Sequence, residues 1–281
     1  MSRTAVAAAI FISTLTMGGA AFAADPVTAP APAATAPAPR LPATAAERAA
    51  YDRSDALARS VFWSRENETN PADPVAGVKL AQALREMGQF PQAIAVAQQV
   101  LVIQPANVEA MLELGKTQIA RGQGFYGIAP LEQAKAAAPR DWRPLSLLGV
   151  AYQQVRRGED ARAAWAEGLR LSADNPEILT NAAVALIADG NAPAAETLLR
   201  RAVAQPGATL KMRQNLALSL GLQGKTAEAE QIIRRDLPPE LAERNLAWLN
   251  QRTAPGAVST ASAPEQAPSS SARTWNSLQG G

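Results

Sequence analysis

The chain has 281 residues with 27 Lys+Arg against 25 Asp+Glu, a formal charge of +2, which provides no basic footprint for nucleic acid. It contains neither cysteine nor histidine. That excludes disulfides, thiolate and imidazole metal sites, cysteine nucleophiles, Ser-His triads and histidine acid–base chemistry. An all-carboxylate metal site or a lysine-based enzyme is left open, but no motif for either is visible. The expectation is a non-enzymatic chain with no catalytic residue, metal or cofactor.

Residues 1–23 read as an export signal. Arg3 is the basic start, residues 5–17 are mostly apolar, and Ala21-Phe22-Ala23 is an A-x-A cleavage site, predicting a mature start at Ala24. No cysteine follows the apolar run, so no lipid anchor and no transmembrane segment after cleavage are expected, and the location implied is periplasmic. Residues 24–44 are Pro/Ala-rich with almost no charge, a composition that predicts an extended linker. Residues 45–73 read as an N-terminal capping helix, with Trp63 and Pro71 in phase with the repeat that follows.

That repeat decides the fold. Pro71, Pro105 and Pro139 are 34 residues apart, and units starting at Pro74, Val108, Trp142, Pro176 and Leu210 keep the step through residue 244. The seventh and eighth positions are Leu80-Ala81, Leu114-Gly115, Leu148-Gly149, Ala182-Ala183 and Leu216-Ala217. With positions 4 and 11 they form the apolar stripe of a first helix. Small residues at 8 and 20 allow a second helix to cross closely. Glycine at position 15 (Gly88, Gly122, Gly190, Gly224) predicts the left-handed turn between the helices. Unit 3 has Arg156 there. Unit 2 has Pro130 inside its second helix, which predicts a late start or a kink. Pro238-Pro239 then interrupts the chain before a C-terminal capping helix over 238–251, overlapping the end of unit 5, with Leu241, Leu246 and Trp248 available to cover the last face. The Pro/Ser/Ala-rich tail, residues 252–281, is predicted to be disordered.

Two glycine motifs imitate nucleotide sites. Gly122-Gln123-Gly124-Phe125-Tyr126-Gly127 fits G-x-G-x-x-G, and Gly224-Lys225-Thr226 resembles the end of a phosphate-binding loop. Both fall on inter-helix turns without the strand such sites require. Trp63, Trp165 and Trp248 lie on apolar stripes and are read as core or cap. Trp275, in the tail, is either without a role or a short anchor that docks on a partner or back on the solenoid.

The 34-residue frame and Leu148-Gly149-x-x-Tyr152…Ala161-x-x-x-Trp165 resemble the tetratricopeptide-repeat family. The fold implied is all-α, a right-handed superhelical solenoid of helix-turn-helix repeats with capping helices. In that family the concave face, lined by positions 2, 5, 6, 9, 12 and 13 of the first helices, binds peptides or partners. Those positions place Lys79, Gln82, Arg85, Glu113, Lys116, Arg143, Gln153, Gln154, Asn181, Lys211, Gln214 and Asn215 in the candidate groove. A merely solvated face is the alternative. Asn181 and Lys211 match a carboxylate clamp, but Ser146, Val150 and Asn215 depart from it, so the clamp is incomplete.

A narrower resemblance is to the TadD family of tight-adherence (Flp-type) pilus assembly. It rests on Phe62-Trp63-x-Arg65-Glu66, Asn70-Pro71-Ala72-Asp73, Asp141-Trp142-Arg143, Leu148-Gly149-Val150-Ala151, the stretch RQNLALSLGLQGK at 213–225 and Asp236-Leu237-Pro238-Pro239-Glu240, and covers residues 52–251. It implies a scaffold for the pilus machine or its outer-membrane secretin, with pilus-assembly proteins as partners. Members are often lipoproteins, a departure here. A general periplasmic peptide-binding protein for envelope maintenance or secretion is the alternative.

Overall fold

A computed structural model of the chain describes residues 41–253, and every regular element among them is an α-helix. Helices α1 (Ala45–Tyr51) and α2 (Ala56–Thr69) precede five pairs. These are α3 (Pro74–Glu86) with α4 (Phe90–Ile103), α5 (Val108–Ala120) with α6 (Gly124–Ala137), and α7 (Arg143–Gln154) with α8 (Gly158–Leu171). The last two are α9 (Pro176–Ala188) with α10 (Ala192–Val203), and α11 (Leu210–Leu222) with α12 (Thr226–Asp236). Helix α13 (Pro239–Thr253) packs on α11 and α12.

Local chemistry sets these boundaries at one-repeat intervals. Asp73, Asn107, Asp141, Asn175 and Thr209 are 34 residues apart, and each side chain accepts from a backbone N–H in the first turn of a first helix. At Asp141 the acceptor sits one residue further out, on the Arg143 N–H at 2.9 Å. Each first helix ends in a Schellman turn, closed by backbone bonds of 2.8–3.0 Å from Gln89 to Leu84, Gln123 to Gln118, Arg157 to Tyr152, Asn191 to Leu186 and Lys225 to Leu220.

The left-handed residue of that turn is glycine in four units and Arg156, at φ 61°, in the third. A non-glycine side chain there crowds its own backbone at a cost of about 1 kcal/mol or more. Arg156→Gly is therefore expected to stabilise the chain by about 1 kcal/mol and raise the thermal midpoint by about 2–4 °C. Arg156→Ala, equally unable to relax, should give no such gain.

Two sequence expectations are corrected. Of the late start or kink expected in unit 2's second helix, the late start does not occur: α6 opens in phase at Gly124 and runs through Pro130 to Ala137. The proline forfeits one hydrogen bond, while Gly127, Ile128, Pro130, Leu131 and Ala134 are all buried. Packing outweighs the lost bond. The N-terminal cap is two helices rather than one. Asp55 caps α2 through the Ala58 N–H at 2.8 Å, and Tyr51 at the end of α1 stacks on Phe62 at 4.0 Å.

The core runs from unit to unit, joining residues of α5–α9 in one cluster and of α9–α13 in another. Trp63 and Trp165 are buried, as their stripes predict, while Trp248 is half-buried against the second cluster. In α13, Ala242, Leu246 and Leu249 take the covering positions, with Leu241 half-buried beside them.

Candidate partner-binding face

The polar side chains of the first helices are largely used to tie one unit to the next. Arg143 grips Glu109 of the preceding first helix at 2.7 and 3.1 Å and Asp141 at 2.7 Å. Both anions hold the Arg143 guanidinium well above its ordinary pKa, with Asp141 the stronger influence. Asn181 donates to Ser146 Oγ at 3.0 Å, and Gln154 Nε2 donates to the Ile119 carbonyl at 2.9 Å. Arg85 pairs across to Glu113, and Lys79 reaches Asp52 at 2.9 Å. The recurrence of partners 34 or 35 residues away shows these helices stacked side by side and in register.

Twelve residues were expected on this face, and the structure does not leave all of them accessible. Glu113, Gln214 and Asn215 are only 3%, 3% and 2% exposed. Glu113 lies beneath its pairing with Arg85. Gln214 and Asn215 lie in α11, where α13 packs, and Gln214 Nε2 and Asn215 Nδ2 have no hydrogen-bond partner among the described residues. Those three residues therefore do not line an open groove. Lys79, Gln82, Arg85, Lys116, Arg143, Gln153 and Asn181 are half-buried, while Gln154 and Lys211 are exposed. Of these, the Gln153 and Lys211 side chains make no bond within the described chain, and Lys116 has only a loose 3.9 Å approach to Glu113. Trp275 lies outside the described residues, as do the signal segment, residues 24–40 of the linker and residues 254–281.

The nucleotide-like motifs are structural. Gly122 makes the left-handed turn at φ 78°. A Cβ on Gly124 would stand 2.8 Å from the Ala151 carbonyl, and one on Gly127 would stand 3.2 Å from the Gly115 carbonyl. The glycines thus set helix approach, while Phe125 and Tyr126 point outward, 69% and 62% exposed. Lys225, which stands where a phosphate-binding lysine would, is spent on Glu196 at 2.6 Å.

Glu196 is the centre of that arrangement, a residue the sequence motifs did not single out. It also accepts from Arg200 Nε at 2.8 Å and Gln223 Nε2 at 2.8 Å, joining α10 to the turn before α12. Lys225 chiefly, with Arg200 and Gln223, holds its carboxyl at about 2 against a usual 4.5. A depressed carboxylate stabilises the fold above its unfolded pKa, and that stabilisation is lost as pH falls from about 4.5 towards 2. Glu196→Gln should accordingly cost about 1 kcal/mol at pH 7, a figure reduced for the half-exposed Lys225 and Arg200. The difference from the parent should vanish near pH 2 in a series of denaturation curves.

A tetratricopeptide-repeat family model matches residues 176–201 and 215–235, within units 4 and 5. No curated protein sequence matches the chain. A thermophilic tetratricopeptide-repeat protein of Thermus thermophilus is similar in structure over 62% of this chain and 94% of its own, at 22% identity and a TM-score of 0.56. A chain of the APC/C hetero-tetramer Cut9-Hcn1 is similar over 70% of this chain and 38% of its own, at 13% identity and a TM-score of 0.59. With thirteen helices and no strand among the described residues, the chain has the all-α helical-repeat fold of tetratricopeptide-repeat proteins.

Proposed function

We propose that this chain is a non-enzymatic, periplasmic scaffold that binds a partner protein along its first-helix face, in the assembly of a Flp/tight-adherence-type pilus or its outer-membrane secretin. The observation that carries the binding reading is the face itself. Side chains from successive units are fixed in register, and Lys116, Gln153 and Lys211 project from it with no firm partner of their own. These three side chains, from units 2, 3 and 5, offer donors that suit an extended segment with exposed backbone carbonyls. No helix among the described residues is long and apolar enough to cross a membrane.

The pilus assignment draws on the sequence stretches around Phe62-Trp63, Asp141-Trp142-Arg143 and 213–225 that resemble the TadD family. The test is affinity capture of the tagged full chain from intact envelopes, beside a Lys116→Glu, Gln153→Glu, Lys211→Glu variant. The expected result is a pilus secretin or inner-membrane pilus protein held by the parent and reduced at least tenfold by the variant. Recovery of many unfolded envelope proteins instead would replace the pilus role with general peptide binding.

A further inference from the structure

Unit 4 differs from the other four at one core position. The seventh residue of the repeat is a buried leucine at Leu80, Leu114, Leu148 and Leu216, but Ala182 in unit 4. Beside Ala182 is an open-mouthed cavity of about 230 Å³ between α8, α9 and α10. Its walls are apolar, formed by Trp165, Leu169, Ala185, Leu186 and Leu198. The polar lining residues are Gln153, whose amide is free, Arg162, which is already paired to Glu159, and Asp189, which makes no ion pair among the described residues. An apolar cavity of about 150 Å³ accommodates benzene; one half as large again has room for a two-ring side chain.

The position of the cavity points to an occupant. The cavity lining runs along the C-terminal half of α9, from Ala182 to Asp189. Helix α13 runs in the same direction as the first helices, since Leu249 near its end packs over Gly221 near the end of α11. The described chain therefore leaves the solenoid at the same edge, two helix spacings from the cavity, roughly 20 Å at 8–10 Å each. From Ala254 to Trp275 are 22 residues, and a coil of that length spans about 25 Å. Arg273 is two residues before Trp275 in the sequence, a spacing that would put both on one side of a segment docked in extended form. It would face Asp189, whose place at a helix C-terminus further favours a cation. The indole N–H would have the Gln153 amide carbonyl as acceptor.

We propose that the Arg273-Thr274-Trp275 segment of this chain docks into its own unit 3–unit 4 cavity, with Trp275 filling the space left by Ala182 and Arg273 paired to Asp189. The proposal shares Gln153 with the partner-binding reading, but its test reads only a contact of the chain with itself. Full-length protein labelled with 5-fluorotryptophan tests it, with the Trp275 signal assigned by Trp275→Phe. Broadening of that signal by a soluble gadolinium chelate should be at least fivefold weaker in the parent than in Ala182→Leu, which restores the leucine of the other units. Asp189→Lys, at an exposed position, should raise the broadening at least twofold without touching the core. Equal broadening in all three proteins would overturn the proposal. So would protection that survives both substitutions, or protection that disappears on hundredfold dilution, which would mean docking on a second copy.

Discussion

Gly149→Ala is expected to lower stability by about 2–3 kcal/mol, even though alanine is the better helix former by about 1 kcal/mol. The new Cβ would fall inside the contact radius of Trp165 Nε1 and Cε2 and stand 2.6 Å from Cδ1. Trp165 is 3% exposed and its indole donates to the Ser146 carbonyl at 3.1 Å, so the ring has no room to retreat without breaking that bond. Overpacking costs about 1–3 kcal/mol and the lost buried bond about 1 more. Unit 4 shows the compensated alternative, with Ala183 where unit 3 has Gly149 and Leu199 where it has Trp165. Gly149→Ala with Trp165→Leu should therefore be more stable than the sum of the single substitutions implies, by about 1.5 kcal/mol or more. Chemical denaturation of the four proteins measures it, and strict additivity would show that the two residues do not share one space.

Arg48→Ala should cost about 2–3 kcal/mol, with the loss concentrated at the N-terminal end, on the scale set for a broken buried ion pair. Arg48 holds Glu66 Oε2 at 2.6 and 2.9 Å and reaches Asp73 at 2.7 Å, while the Ala43 N–H donates to the same Glu66 carboxylate at 3.0 Å. Glu66 is 4% exposed. Removing its cation leaves a buried charge, which costs about 3–5 kcal/mol when no solvent reaches the site. Here the 23% exposure of Arg48 lets water supply part of the missing interaction. Arg48→Ala with Glu66→Gln should regain part of the loss, because an amide is cheaper to bury than a carboxylate. Hydrogen exchange should accelerate in α1, α2 and the start of α3 and be unchanged in units 4 and 5, as nearest-neighbour coupling in a solenoid requires.

The repeat frame was readable because its signals are local and redundant. Proline, glycine, the Leu-small pair and the apolar stripe each recur at 34 residues, and the second helices open at Phe90, Gly124, Gly158, Ala192 and Thr226 in that same step. The capping residues 73, 107, 141, 175 and 209 carry the period too, a signal present in the sequence that the apolar pattern does not use. Less of the binding face could be read. Position in the frame says which way a side chain leaves its helix, but not what the next helix covers. Helix α13 begins at Pro239, five residues before the 34-residue step would place a sixth unit, and Gln214 and Asn215 are buried in the α11 it packs against. Arg85 and Glu113, 28 residues apart, pair through side-chain reach that no periodic pattern reports. Arg156 was recognisable as an anomaly, and only the backbone shows that it adopts the glycine conformation instead of moving the turn.

The central claim is that partners are held on the first-helix face. A photo-crosslinking residue at Lys116, Gln153 or Lys211, compared with the exposed second-helix positions Gln98, Gln133 and Ala163, tests it in living cells. The account predicts a crosslink to one pilus-assembly protein from the first-helix positions, at ten or more times the yield from the second-helix positions. Equal yields from both faces, or a partner captured only through the second helices, would contradict it.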